Sequence, residues 1–124
     1  MRLYPPAWMT DRMAVADDEY QGIHIPQGTY VLTYIYGVHH DARHWIDPEA
    51  FRPERFLLDQ SRERHSFAYI PFGGGPRLCI GNHFALMEMQ LVVVQLLRRF
   101  TLSMATHQPI NHLALVTLRP KEPV

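Results

Sequence analysis

The sequence predicts one α+β unit with an antiparallel β-sheet, a cysteine-containing loop, one long buried helix and C-terminal β-strands. Three patterns predict this fold class. Residues 12–40 carry a strand signal, in which β-branched and aromatic residues are concentrated at 29–36, as is typical of strands. Apolar residues recur at helical spacing over residues 82–100, which indicates a helix buried on most sides. Residues 101–104 and 113–118 alternate again, so we expect two further strands with a turn at Pro109 and Asn111.

The composition narrows the class of protein. The chain has 124 residues, with 12 basic and 12 acidic side chains and therefore no net charge while His is neutral. This length suits one small domain, and the charge balance gives no reason to expect nucleic acid as a partner. The lone cysteine excludes an intramolecular disulfide and fits a reducing compartment. No apolar run reaches membrane-spanning length, so no membrane anchor is expected within these residues. The compartment stays open, with the cytoplasm expected if the protein is bacterial.

The first residues predict the end of a helix. Pro5 and Pro6 would terminate a helix. Arg2 and Leu3 are therefore predicted to form the last turn of a helix that begins before Met1.

Residues 12–40 predict strands joined by tight turns. We expect an acidic turn at residues 17–19, an alternating segment at 20–25 and a strand at 29–36. Between them, the Pro-Gln-Gly sequence at 26–28 is typical of a type II turn, because Pro presets φ and Gly accepts a positive φ.

The middle of the chain predicts irregular structure. Asp47 is expected to cap a short helical turn that has Pro48 at its first position. Residues 59–65 are polar and charged, and they predict an exposed meander.

Eight histidines raise the question of a metal site. His40 and His44 are four residues apart and His39 adjoins them, but no Cys or clear Glu completes a tetrahedral set. These histidines are therefore predicted to lie at the surface or to support other residues.

Residues 72–81 carry the clearest chemical signal, with the sequence Phe-Gly-Gly-Gly-Pro-Arg-Leu-Cys-Ile-Gly around the only cysteine, Cys79. Glycine permits positive φ and close approach of other groups. The helix predicted from residue 82 places its positive dipole end beside Cys79, and Arg77 adds a cation two residues away. We therefore expect Cys79 to be a thiolate with N–H donors aimed at its sulfur. A lone thiolate on a glycine-rich loop is the protein half of a haem-thiolate site.

This loop fits the pattern Phe-x-x-Gly-x-Arg-x-Cys-x-Gly, which resembles the haem-binding signature of the cytochrome P-450 family of haem-thiolate monooxygenases. The five matching residues are Phe72, Gly75, Arg77, Cys79 and Gly81. Two further segments resemble the family: residues 22–29 follow Gly-x-x-Ile-Pro-x-Gly-Thr, and residues 51–56 follow Phe-x-Pro-Glu-Arg-Phe. The resemblance covers essentially all 124 residues.

The resemblance implies haem b (iron protoporphyrin IX) as the cofactor, with Cys79 as the ligand of its iron. Arg77 and Arg12 would each pair with a haem propionate, Phe72 would pack against the ring, and Ala85 would be the small residue where the helix passes beneath the haem. The full set of cofactor-binding residues implied in this way is Arg12, Pro71, Phe72, Gly73, Arg77, Cys79, Gly81 and Ala85.

The resemblance also implies that residues 1–124 are the C-terminal, proximal haem-binding part of one domain, a fragment of the mainly-α cytochrome P-450 fold. Arg2 and Arg55 would be two members of a buried Glu-Arg-Arg cluster, where guanidinium geometry suits a carboxylate. The family's oxygen-activating acid and Thr lie on an earlier helix, so no complete catalytic set is expected in the chain. We expect the DNA before the Met1 codon to encode that helix, and a Glu three residues before Arg2.

The implied function is O2-dependent oxidation of a small apolar substrate, with electrons from a ferredoxin or reductase on the proximal face. Residues 7–10 and 113–116, where the family lines its substrate pocket, are largely apolar. Two alternatives stay open: a haem-thiolate isomerase or peroxygenase relative, which needs no external electrons, and a non-catalytic truncated haem-binding protein. The 124 residues alone are expected to be inactive and to fold poorly.

Overall fold

A computed structural model of the chain describes residues 1–104 and 110–122. It combines helices with antiparallel strands, as predicted. The N-terminal strands form two separate two-stranded sheets instead of the one that was predicted, and the C-terminal strands form a third. The strands are β1 (Thr10–Met13), β2 (Asp18–Tyr20), β3 (Ile23–Ile25), β4 (Tyr30–Thr33), β5 (His112–Ala114) and β6 (Leu118–Pro120). The α-helices are α1 (Ile35–His39), α2 (Leu58–Ser61) and α3 (Asn82–Arg99), and short 3-10 turns lie at Pro53–Phe56, Ser66–Ala68 and Gly75–Arg77.

Strands β1 and β4 enclose the hairpin of β2 and β3. In the outer pair Thr10 lies opposite Thr33, and in the inner pair Asp18 lies opposite Ile25. The predicted turn at residues 26–28 is present. The Thr29 N–H donates to the Pro26 carbonyl oxygen at 3.1 Å.

Two predicted boundaries in this region are wrong. Residues 17–19 are not a turn, because Asp18 begins β2. The chain instead reverses at Gln21 and Gly22, which have φ values of 51° and 80°. The strand predicted for residues 29–36 ends at Thr33, because the following residues form α1 and bury the Ile35 side chain.

Two predicted helical turns are also absent. Residues 1–9 contain no helix, and the helix expected to begin before Met1 stays a prediction. Asp47 has a φ of 48° and its side chain caps no helix. It begins a single turn in which the Ala50 N–H donates to the Asp47 carbonyl oxygen at 3.0 Å.

The buried core is small and lies beside the N-terminal segment. Trp45 and Ile35 are each 1% exposed and Ala68 is 2% exposed. Phe56 and Tyr69 pack around the Trp45 ring, with ring-centroid distances of 6.0 and 6.3 Å. This aromatic core supports the segment that enters the cysteine loop.

Helix α3 is long, as predicted, but none of its residues is buried. The prediction of a buried helix is therefore wrong for this structure. Leu91 and Leu97 are 57% and 61% exposed, because the other described elements leave the apolar surface of α3 uncovered. Within the described residues, no helix combines the length and hydropathy needed to cross a membrane.

The C-terminal strands differ in pairing from the prediction. Residues 101–104 form no strand. Strand β5 instead pairs with β6, with His112 opposite Pro120, and the chain reverses between them at residues 115–117. The predicted turn residue Pro109 lies outside the described residues. Alternation alone indicates a strand's faces but not its partner, which explains the error.

Candidate functional site

The cysteine loop is shaped by two glycines and two backbone hydrogen bonds. Gly73 and Gly75 have φ values of 76° and 63°, a region that costs residues with a Cβ roughly 1–2 kcal/mol. The Gly73 N–H donates to the Ile70 carbonyl oxygen and the Cys79 N–H donates to the Phe72 carbonyl oxygen, both at 3.0 Å. The loop therefore folds back so that Cys79 is fastened beside Phe72.

The Cys79 side chain is exposed and lies next to the start of α3. Gly81 is the N-cap residue of this helix, and a Cβ added there would lie 3.9 Å from the Cys79 Sγ. The glycine therefore leaves free the space beside the sulfur. Among the described residues no N–H donates to Sγ, in contrast to the prediction, because the Leu78 and Cys79 amides donate to the carbonyl oxygens of Gly75 and Phe72.

The structure gathers most of the predicted cofactor-binding residues around this loop. Phe72, Gly73 and Pro71 are half-buried where the chain enters the loop. Arg77 is exposed in the 3-10 turn two residues before Cys79. Ala85 is half-buried in the first turn of α3, where its N–H donates to the Gly81 carbonyl oxygen at 2.9 Å.

Arg12 is the exception, because it lies on β1 and not in the loop. Its exposed guanidinium donates to the Asp11 carbonyl oxygen at 2.5 Å and to the Thr10 hydroxyl at 3.3 Å. The structure therefore gives Arg12 local partners on its own strand.

The loop has the chemistry that a large, mostly apolar, anionic cofactor requires. Its exposed thiol is the one Cys ligand that haem-thiolate coordination needs. Beside it, Ile80 and Phe84 are 103% and 66% exposed, and the exposed Arg77 supplies a positive charge. Nothing lies within 4 Å of a Cβ built on Gly75, so this side of the loop is open. The residues present therefore fit a haem.

Two predicted cluster residues, Arg2 and Arg55, are 5% and 8% exposed. Arg2 donates to the carbonyl oxygens of His39 at 2.9 Å and Ala50 at 3.0 Å. Arg55 donates to the Asp47 carbonyl oxygen at 2.8 Å, while its buried Nε has no hydrogen-bond partner among the described residues. Burial lowers the pKa of Arg2, and the positive charge of Arg55 lowers it further. Backbone dipoles thus hold these two cations in the described structure.

A third arginine, Arg64, joins them, although the polar residues 59–65 around it predict an exposed meander. Its guanidinium lies 4.0 Å from the Trp45 ring centroid, and the Arg2 guanidinium lies 5.0 Å from the same ring. Burial, and then the charge of Arg55, lower the pKa of Arg64. No sequence signal separates Arg64 from the neighbouring Arg62, because only tertiary packing brings it to Trp45.

His39 was predicted to lie at the surface or in a supporting position, and the structure favours the second alternative because the residue is 0% exposed. The Ile70 N–H donates to its Nε2 at 2.9 Å, and its Nδ1 lies 3.3 Å from the Arg2 carbonyl oxygen. Since an amide N–H can only donate, Nε2 carries no proton and Nδ1–H donates to Arg2. Burial lowers the pKa of His39 to about 4, so the ring is neutral at pH 7.

His40 and His44 are the other histidines considered for a metal site. His44 is exposed, and His40 is half-buried with its Nδ1 2.8 Å from the Tyr36 carbonyl oxygen. In the part of the chain that the structure describes, no group of three or more His, Cys, Asp or Glu residues could hold a metal ion.

The two segments expected to line a substrate pocket are fastened together. The Trp8 indole N–H donates to the Leu115 carbonyl oxygen at 2.7 Å, and the Leu118 N–H donates to the Pro6 carbonyl oxygen at 2.8 Å. The β5–β6 hairpin therefore lies against residues 6–8. Its turn exposes apolar surface, because Val116 is 96% exposed.

Comparisons with known proteins cover the whole chain. The Cytochrome P450 family model matches residues 1–124. The chain is 41% identical over 127 residues to lithocholate 6-beta-hydroxylase of Mesocricetus auratus, covering 100% of this chain and 25% of that protein. It is 44% identical over 123 residues to putative cytochrome P450 132 of Mycobacterium tuberculosis, covering 99% of this chain and 26% of that protein.

A solved structure shares the fold. The retinoic acid-bound cyanobacterial CYP120A1 matches with a TM-score of 0.90 and 37% identity, over 97% of this chain and 28% of that chain. This chain therefore spans about a quarter of the length of the relatives it matches. Cytochrome P450 proteins are haem b oxidoreductases that generally receive electrons from redox partners. From the family match over residues 1–124, the relatives and the structural likeness, it follows that the chain belongs to the cytochrome P450 family.

Proposed function

We propose that this chain binds haem b through the Cys79 thiolate and is the proximal haem-binding part of a monooxygenase domain. The observation that carries the proposal is the exposed Cys79 thiol, held between the glycine loop and the start of α3. The N-terminus of α3 lies beside the sulfur and favours an anionic ligand group there. Arg77 is close in sequence and exposed, so its cation is available to a propionate.

When bound, haem supplies the oxidising chemistry toward O2, to which the electron-rich thiolate contributes. The residues of this chain would hold and orient it. Cys79 would ligate the iron, and the hydrogen bond from its N–H to the Phe72 carbonyl oxygen holds its backbone beside Phe72. Phe72 would pack against the haem ring. Because Gly75 and Gly81 have no side chain, they leave room for the haem to approach the loop closely. The small side chain of Ala85 would leave space for the ring beside α3.

The whole protein would insert one oxygen atom into a small apolar substrate, with electrons from a ferredoxin or reductase docking on the proximal face. The apolar segments joined through Trp8 and Leu115 support an apolar substrate. Lithocholate 6-beta-hydroxylase is an oxidising relative by its name. The remaining parts of the pocket would come from residues that correspond to the rest of the relatives' length.

The ligand assignment is tested in a chimera in which this chain replaces the matching region of CYP120A1. The chimera is loaded with haem, reduced and exposed to carbon monoxide. We expect the Soret band of a thiolate-ligated complex, and Cys79→His should move it to the position typical of His-ligated haem. Leu58→Ala, a change at an exposed residue of α2 outside the loop, is the control and should leave the band in place. A His-type band in the unmodified chimera, or an unchanged band in Cys79→Ala, contradicts the proposal.

A second candidate function is an isomerase-like reaction that needs no external electrons. It is motivated by thromboxane-A synthase of Sus scrofa, which is 39% identical over 100% of this chain and 24% of that protein, and whose name denotes a synthase instead of a hydroxylase. The two functions differ in their need for electrons. Substrate turnover that continues without a redox partner favours the second, whereas turnover that stops without one favours the monooxygenase.

A further inference from the structure

We propose that His39 is a positioning residue for the Cys79 loop, because its imidazole fastens the chain just before the loop to the N-terminal segment. The proposal rests on the proposed function of this loop as the haem site. His39 lies at the end of α1, distant in sequence from both of its partners. It takes no part in the haem contacts described above.

The imidazole bridges two backbone groups from opposite sides of its ring. Its Nε2 accepts the Ile70 N–H at 2.9 Å, and its Nδ1–H donates to the Arg2 carbonyl oxygen at 3.3 Å. The ring is 0% exposed, so water does not compete for either bond. A protonated ring would turn an N–H toward the Ile70 N–H, so only the neutral form can make both bonds.

Short backbone contacts continue from this bridge to the cysteine. The carbonyl oxygen of Ile70 accepts the Gly73 N–H at 3.0 Å, which closes the first turn of the loop. The carbonyl oxygen of Phe72, within that turn, accepts the Cys79 N–H at 3.0 Å. A shift at Ile70 would therefore displace the group that holds the Cys79 backbone.

Neighbouring contacts fix the same segment from its other side. The Trp45 indole N–H donates to the Ala68 carbonyl oxygen at 3.2 Å. Between these anchors, the Tyr69 ring lies 5.2 Å from the His39 ring and 4.9 Å from the Phe56 ring. His39 thus holds Ile70, the residue that directly precedes the start of the cysteine loop at Pro71.

The chemistry of the bridge requires a side chain that both accepts and donates a hydrogen bond. A phenylalanine would keep the ring packing on Tyr69 but would leave the Ile70 N–H without its acceptor. A glutamine can present an amide oxygen to Ile70 and an amide N–H to Arg2, so it can restore both bonds. This pair of substitutions separates hydrogen bonding from packing.

The test is peptide-resolved hydrogen exchange on the chimera that contains this chain, before haem is added. In His39→Phe, we expect the Ile70, Gly73 and Cys79 amides to exchange about tenfold faster, the loss expected for one hydrogen bond of ordinary strength. Amides of the β1–β4 pair should be unaffected. His39→Gln should restore protection, and His44→Phe, at an exposed histidine, is the matched control.

A second readout measures the loop's function in the haem-loaded chimera. His39→Phe should lower the fraction of the reduced carbon monoxide complex with a thiolate-type band, and His39→Gln should recover it. Because exchange is measured without haem, a chain that fails to bind haem leaves the exchange result intact. An unprotected Ile70 amide in the unmodified chain, protection unchanged by His39→Phe, or global unfolding of both variants by circular dichroism would each overturn the proposal.

Discussion

Arg2 and His39 are joined by two hydrogen bonds that run in opposite directions. The Arg2 guanidinium donates to the His39 carbonyl oxygen at 2.9 Å, and the His39 Nδ1–H donates to the Arg2 carbonyl oxygen at 3.3 Å. Both residues are buried, and the positive charge of Arg2 further disfavours a proton on His39. The N-terminal segment is therefore held to α1 by a neutral imidazole beside a cation.

The first prediction is that acid weakens the fold through His39. Burial lowers the pKa of His39 from 6.5 to about 4, so the unfolded chain binds a proton at a higher pH than the folded chain. The stability from neutral His39 is complete above pH 6.5 and is lost as the pH falls toward 4. The free energy of unfolding should drop by about 3 kcal/mol across this window.

Urea unfolding of the chimera and of its His39→Gln variant at a series of pH values measures this effect. Subtracting the two curves removes the contribution of the other histidines, since both proteins retain them. A difference between the two that does not vary from pH 7 to pH 4 contradicts the prediction.

The second prediction concerns the backbone of the loop. Gly75 and Gly28 have φ values of 63° and 83°, and nothing lies within 4 Å of a Cβ built on either. Gly75→Ala and Gly28→Ala should therefore each destabilise the fold by a similar 1–2 kcal/mol or so through backbone strain. Only Gly75→Ala should speed haem loss in the chimera, because only Gly75 lies in the loop. Equal haem dissociation rates in the two variants would argue against a role for the loop.

The third prediction assigns propionates to Arg77 and Arg12. Arg77→Leu should raise the rate of haem dissociation by about tenfold or more, since hydrogen bonds to charged groups are among the stronger ones. Arg12→Leu should have a smaller effect, because Arg12 already donates to Thr10 and Asp11 on its own strand. Arg62→Leu, at another exposed arginine, is the control. If haem dissociates from both variants at the same rate as from the control, neither arginine binds a propionate.

The fourth prediction concerns the uncovered helix α3. Leu91 and Leu97 are 57% and 61% exposed, and apolar patches of this kind promote association. Leu91→Lys and Leu97→Lys should reduce concentration-dependent self-association of the chain in analytical ultracentrifugation. In the chimera the same changes should lower stability by a few kcal/mol, on the order expected for burying an unpaired charge. If the two variants are more stable both in the chain alone and in the chimera, the surface of α3 is not covered in the complete fold.

Local features were predictable from the sequence because short-range chemistry determines them. Glycine tolerance of positive φ marked the loop at residues 73–75, and helical periodicity marked α3. The turn at residues 26–28 followed from Pro and Gly in the same way. The motif around Cys79 identified the family because its residue types recur at fixed spacing within a single loop.

The tertiary structure alone decided which side chains are buried and which residues meet. His39 contacts Arg2 and Ile70, which are 37 and 31 residues away in the chain, and no local pattern encodes such a contact. Arg64 reaches Trp45 for the same reason. The exposure of α3 depends on what packs against it, so an apolar composition that favours burial could not determine it. The sequence determined conformations whose cause lies within a few residues, whereas burial, charge state and pairing depend on groups that only the folded chain brings together.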